Sequence, residues 1–221
     1  PVANAQQLLI IFAVKNPDPN FLLLDKLLIA SESNNLKPVV CFNKADLAEE
    51  GQKENIFDIF KNTGYKIIFT SKYNEDSLQE LKDILKDKLN VFSGPSGSGK
   101  SSIMNAVQPD FYLKTGEISE KLKRGKHTTR HAEIFKLSFG GYAVDTPGFS
   151  SFELEGIDEY SLKKYYPEIA KYDEGCRFLD CLHYKEPHCV IKEAVNDDLI
   201  SEVRYNNYIK LLEHIKSSKP Y

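Results

Sequence analysis

A chain of 221 residues with 41% hydrophobic content can bury one full core and a small second one, so one or two domains are expected. Its 29 basic residues against 32 acidic ones leave a formal charge of -3, which excludes a globally basic nucleic-acid binder; any RNA contact needs a local basic patch. No apolar run approaches bilayer length, and the opening "PVANAQQ" lacks both parts of a signal peptide, so a cytoplasmic protein without a membrane span is expected, with residues upstream of Pro1 not shown.

The first strand-like run is "LLIIFA" (8–13), followed by a helix-like segment at 21–33 and a second apolar run, "PVVCF" (38–42). That run opens onto "FNKAD". Asp46 there can accept from guanine N1–H and the exocyclic amine, whereas adenine would leave the carboxylate unpaired. Asn43 can brace the base and neighbouring loops, and the Lys44 stem can lie over the purine plane. A helix-like stretch at 52–62 leads to "YKIIF" (65–69) and the polar turn holding Ser71 and Lys72, where a second guanine contact is expected; a helix is expected over 76–88.

"NVFS" (90–93) then runs into "GPSGSGKS", Gly94, Pro95, Ser96, Gly97, Ser98, Gly99, Lys100 and Ser101, which fits G-x-x-x-x-G-K-[ST] between a strand and a helix at 100–107. The backbone N–H groups of such a loop turn inward around a phosphate. Lys100 reaches the β/γ oxygens, the Ser101 hydroxyl ligates Mg²⁺, and Ser102 can meet the α-phosphate. Two further runs, "AEIFKLSF" (132–139) and "YAVD" (142–145), precede "DTPGF", in which Asp145 is expected to hold Mg²⁺ through water and the Gly148 N–H to sense a γ-phosphate. Strands alternating with helices predict an α/β fold with a parallel sheet.

These are the parts of a GTPase in the order guanine, guanine, phosphate loop, Mg²⁺ aspartate, which is a circular permutation of the usual order. Permutation is tolerated where termini lie close together at the surface. Beyond a boundary near residue 151 the chain is expected to form a small, mainly helical unit (151–221) after a GTPase domain (1–150). In its last helix Val203, Tyr208, Leu211, Leu212 and Ile215 fall near one face. Cys41 stands alone in an apolar run. Cys176, Cys181, His183 and Cys189 supply three thiolates and an imidazole, a full tetrahedral set for one structural Zn²⁺, with His188 as a competing ligand.

"NAQQLLIIFAVKNPDPN", "FNKADL", "GPSGSGKSSIMNA", "LKTGEISEKLKRGKHTTRH", "DTPGF" and "CRFLDCLHYKEPHCVIKEAV" together resemble the RsgA (YjeQ/YloQ) family of circularly permuted GTPases across nearly the whole chain. The resemblance implies GTP hydrolysis in maturation of the small ribosomal subunit, slow intrinsic turnover stimulated by that subunit, and an OB-fold domain preceding the point where this chain starts. Switch I then falls on "EKLKRGKHTTRH" (120–131), where Thr128 or Thr129, with Thr129 preferred, supplies a hydroxyl to Mg²⁺. Lys121, Lys123, Arg124, Lys126 and Arg130 form the local basic patch expected to meet rRNA. Phe149 stands where many small GTPases carry a water-orienting Gln, so His127 is the candidate for that role, with a simple loop or RNA-contacting histidine as the alternative. A monomer is expected. The competing functions are a nucleotide kinase resembling guanylate kinase, suggested by "GPSGSGKS", and a non-enzymatic RNA-binding module.

Overall fold

The computed structural model describes residues 5–108, 133–145, 154 and 156–218, the side chains of Glu133 and Asp145 excepted. Six strands form one sheet in the order β3-β2-β1-β4-β6-β5. They are β1 (Gln7–Ala13), β2 (Lys37–Asn43), β3 (Lys66–Phe69), β4 (Leu89–Ser93), β5 (Glu133–Lys136) and β6 (Tyr142–Asp145). All neighbours pair in parallel except β5 and β6. The expected run 132–139 therefore stops early: Leu137 and Gly141 close a tight reversal, and a hairpin can only pair its strands antiparallel.

β1 is buried at every position because both faces of the sheet are covered. Leu8, Ile10 and Phe12 point toward α1 (Phe21–Ser33) and α2 (Gln52–Phe60), while Leu9 and Ile11 point toward α3 (Glu75–Leu85) and α4 (Lys100–Val107). Asn20 caps α1 by accepting from Leu23 N at 3.0 Å, and Asn74 caps α3 by accepting from Ser77 N at 2.8 Å. α3 ends at Leu85, short of the expected 88, with Asp87 in the left-handed region. The carboxyl ends of the five parallel strands share one edge of the sheet, where ligands bind in open α/β folds.

The expected boundary at residue 151 lies outside the described residues. From Ile157 onward the chain forms α5 (Pro167–Ala170), α6 (Val190–Asn196) and α7 (Glu202–Ser217), with a 3₁₀ turn at Leu162–Tyr165 leading into α5 and another at Asp173–Gly175 between α5 and α6. This unit has its own core, including Leu162, Tyr166, Ile169, Cys181, Ile191, Tyr208, Leu211 and Leu212, and that core extends onto Ile29 of α1. The buried face of α7 reads Arg204, Asn207, Tyr208, Leu211, Leu212 and Ile215. Val203, expected on that face, is exposed, because Arg204 takes the inward position one residue on.

Arg204 is 1% exposed and is held by two carboxylates. Its Nε donates to Glu168 Oε1 at 2.7 Å and its Nη2 to Glu168 Oε2 at 3.2 Å, a bidentate fork, while Nη1 donates to Asp25 of α1. Asn207 Nδ2 donates to the other Asp25 oxygen at 2.9 Å, and the guanidinium lies 4.5 Å from the centre of the Tyr166 ring. A charged cluster thus fastens the C-terminal unit to the helix that covers the sheet.

Candidate nucleotide site and metal centre

β2 delivers "NKAD" at its carboxyl end, and each side chain of that turn is already engaged. Asn43 Nδ2 donates to Ser98 O at 3.1 Å and Gly99 O at 3.3 Å, tying this turn to the phosphate loop. Lys44, in the left-handed region with φ 57°, donates to Gly97 O at 2.8 Å and to Asn16 O. Asp46 Oδ1 accepts from the Ser71 hydroxyl at 2.5 Å, which joins the turn after β3 to the turn after β2. Ser71 is placed by Ser77, whose hydroxyl accepts from Ser71 N at 3.2 Å. Lys72 does not face Asp46 by any described contact; its ammonium lies 4.8 Å from the Tyr73 ring.

The loop after β4 curls because three glycines adopt positive φ: Gly94, Gly97 and Gly99. At two of them a side chain is also excluded by space. A Cβ on Gly94 would sit 2.0 Å from Ile11 O, and one on Gly99 would sit 2.4 Å from Asn43 Nδ2. The Lys100 ammonium folds back over the loop and donates to Gly94 O at 2.7 Å and Pro95 O at 2.8 Å. Ser101 and Ser102 occupy the first turn of α4, whose free N–H groups and dipole favour an anion. The Ser98 hydroxyl is buried and has no hydrogen-bond partner among the described residues. Asp145 ends β6, next to β4 in the sheet.

In the C-terminal unit, Cys176, Cys181, His183 and Cys189 converge, with their ligand atoms all within 4.8 Å of one another. His183 Nδ1 lies 3.3 Å from Cys189 Sγ and 3.5 Å from Cys176 Sγ, and Cys181 Sγ lies 3.9 Å from Cys189 Sγ. His183 is fully buried, whereas His188 is exposed and outside this group. The loop is braced from its surroundings: Tyr205 OH donates to His183 O at 2.7 Å, Tyr208 OH to Leu182 O at 2.9 Å, and Glu186 accepts from Leu182 N and Tyr184 N. Burial pushes the Cys181 thiol up to about 12 and raises that of Cys189, so these sulfurs become ligands only toward a cation able to displace their protons. Three sulfurs and one nitrogen at these separations fit zinc, and no fifth ligand atom joins them among the described residues.

A family description, RsgA GTPase, matches residues 1–155. The small ribosomal subunit biogenesis GTPase RsgA of Caldanaerobacter subterraneus subsp. tengcongensis is 45% identical over 219 residues, spanning 99% of this chain and 74% of that protein. The chain belongs to the RsgA GTPase family.

The RsgA of Clostridium kluyveri is 46% identical over 220 residues, covering 100% of this chain and 76% of its own length. Among solved structures, YjeQ from Thermotoga maritima matches with a TM-score of 0.84 at 36% identity, over 99% of this chain and 74% of that one. YloQ, described as a circularly permuted GTPase, matches with a TM-score of 0.79 at 35% identity, over 99% and 70%. This RsgA-family chain is accordingly a circularly permuted GTPase, with the Asn43–Asp46 turn and the turn holding Ser71 ahead of the glycine loop at 94–101. His127, Thr128, Thr129 and Gly148, together with Lys121, Lys123, Arg124, Lys126 and Arg130, lie outside the described residues. Among the described residues no helix is long and apolar enough to cross a membrane.

Sequence reasoning passed over Asn16, whose carbonyl receives Lys44, and Thr70, whose hydroxyl donates to Asn43 Oδ1 at 3.3 Å. "NPDPN" carries no chemistry in the sequence until the fold brings the Asn16 carbonyl beside Lys44.

Proposed function

We propose that this chain hydrolyses GTP to GDP and phosphate in late maturation of the small ribosomal subunit, binding the subunit and its rRNA in a nucleotide-dependent way. The observation that carries the reading is the locking of the guanine turn to the phosphate loop by Asn43 and Lys44, with Asp46 held by Ser71. One rigid cradle then spans a purine and its phosphates. A nucleotide kinase needs the phosphate loop but has no use for that coupled turn.

In this reading Asp46 accepts from guanine N1–H and the exocyclic amine, and the Lys44 stem covers the base. Lys100 exchanges its two loop carbonyls for β- and γ-phosphate oxygens, a change of partners at one ammonium. The loop amides, held inward by the positive-φ glycines, take the β-phosphate. Ser101, Thr129 and Asp145 would hold Mg²⁺, which when bound neutralises charge on the β- and γ-oxygens. His127 orients the attacking water, and Gly148 senses the γ-phosphate. Cys176, Cys181, His183 and Cys189 hold one structural zinc that staples the C-terminal unit. The relatives' names refer to small-subunit biogenesis, and the basic stretch at 121–130 supplies phosphate-pairing side chains for rRNA.

The test is GTP turnover of the parent chain and of Lys100→Ala, alone and with purified small or large subunits, with co-sedimentation in GDP and in a non-hydrolysable GTP analogue. Stimulation by small subunits alone and tighter sedimentation with the analogue are expected. Absence of turnover in every arm, or equal subunit binding in both nucleotides, overturns the reading.

A further inference from the structure

We infer that Asp173, held by Lys163, is the positioning residue of the C-terminal metal centre, turning the His183 ring so that Nδ1 and not Nε2 meets the cation. The inference rests on the zinc reading above and names what holds its only nitrogen ligand.

An imidazole has two nitrogens, and the partner of one decides the role of the other. Nδ1 of His183 points among the sulfurs, 3.3 Å from Cys189 Sγ and 3.5 Å from Cys176 Sγ. Nε2, across the ring, lies 3.0 Å from Asp173 Oδ1, a charge pair set off the N–H axis rather than a linear hydrogen bond, and no other group partners Nε2 among the described residues. An ionised carboxylate can only accept, so the ring proton belongs on Nε2 and the Nδ1 lone pair is left for the cation. The other braces do not do this. Tyr205, Tyr208 and Glu186 hold backbone groups of residues 182–184, which places the loop but does not select between the two ring nitrogens.

Asp173 is itself fixed. Lys163 Nζ lies 2.8 Å from the same Oδ1, and it also donates to Cys181 O at 3.3 Å. Lys163 is only 8% exposed, an unusual place for an ammonium, although its neighbour Lys164 faces solvent. Asp173 opens the 3₁₀ turn that ends beside Cys176, whose N–H donates to Asp173 O at 3.2 Å. The contacts form a circuit: Cys181 carbonyl, Lys163, Asp173, His183, and back through the ligand cluster to Cys181. Charge gives a second reason for the lysine. Three thiolates around a divalent cation carry a net negative charge, Asp173 adds another, and Lys163 offsets it where water is scarce.

The experiment compares the full chain with Asp173→Ala, Asp173→Asn and Lys163→Met by zinc titration against a chromophoric chelator and by the visible spectrum of the Co²⁺-substituted protein. Asp173→Ala is expected to weaken zinc binding by about 10–100-fold and to alter the Co²⁺ bands. Asp173→Asn, which keeps an acceptor for Nε2–H, is expected to recover most of the affinity. Lys163→Met, which leaves the Asp173–His183 contact in place, should give a smaller loss than Asp173→Ala and serves if the alanine variant fails to fold. Parent-like affinity with an unchanged Co²⁺ spectrum in Asp173→Ala overturns the inference; so does an Asp173→Asn chain as weak as the alanine one and, should the alanine variant not fold, a Lys163→Met chain with the parent's affinity and Co²⁺ spectrum. A parent chain that takes up neither ion overturns the zinc reading, and this inference with it.

Discussion

Replacing Arg204 with Met tests what fastens the C-terminal unit to α1. Methionine keeps an unbranched apolar stem against Phe60, Tyr65 and Tyr166, so the perturbation is the loss of charge and donors rather than a large cavity. Asp25 and Glu168 then face each other's charge without the guanidinium. Breaking a buried pair by removing one partner costs about 3–5 kcal/mol. An independent bound agrees: neutralising a carboxylate at pH 7 from its ordinary value near 4 costs roughly 4 kcal/mol, at 1.36 kcal/mol for each pH unit. The expected loss at pH 7.5 is therefore about 4 kcal/mol.

The sign of the pH dependence follows from Asp25. Burial raises its pKa, with Arg204 as the largest opposing influence, so removing Arg204 raises it further. A raised folded-state pKa means the folded chain holds a proton that the unfolded chain releases. That contribution is present below the unfolded value near 4 and is lost as pH rises through the folded value. The variant should regain stability relative to the parent on going from pH 7.5 to 5.5, by up to about 2.7 kcal/mol for one proton taken up. Urea unfolding followed by circular dichroism at the two pH values checks both magnitudes. A loss under about 1 kcal/mol at pH 7.5, or a parent–variant gap identical at the two pH values, refutes the argument.

Asp46→Asn should lose GTP affinity and gain affinity for xanthosine triphosphate, read by competition with a fluorescent guanine nucleotide; undiminished GTP binding rules out Asp46 as the guanine reader. Ser71→Ala removes the hydroxyl that holds the Asp46 carboxylate and should weaken guanine nucleotides by roughly tenfold, the loss of one charge-assisted hydrogen bond, with no gain for xanthine. Ser98→Ala should unfold at a higher urea midpoint than the parent, by the equivalent of about 1 kcal/mol, because a buried hydroxyl without a described partner is removed; a clear loss of stability would mean that this hydroxyl is bonded.

Local sequence carried the site motifs because their chemistry is local. A phosphate loop needs glycines at fixed offsets, and Gly94 and Gly99 are required both by positive φ and by the absence of space for a Cβ. The reversed motif order was legible for the same reason, as was the Cys₃His set, since ligand types announce a metal without knowledge of the fold. The antiparallel placement of β5 was not, because a run of alternating apolar residues does not state which way its neighbour runs.

The buried charges were the least legible. Arg204 follows Val203 on α7 and reads as the solvated side of an amphipathic helix, while its partner Asp25 stands 179 residues away in an otherwise leucine-rich helix. Lys163 and Lys164 are adjacent and alike in sequence, yet one is buried against Asp173 and the other is not. A charged side chain enters a core only when a counter-charge arrives from elsewhere in the chain, and sequence spacing holds no record of that meeting. Tertiary packing alone decided which charges hold the C-terminal unit on the sheet and which one turns His183 toward the sulfurs.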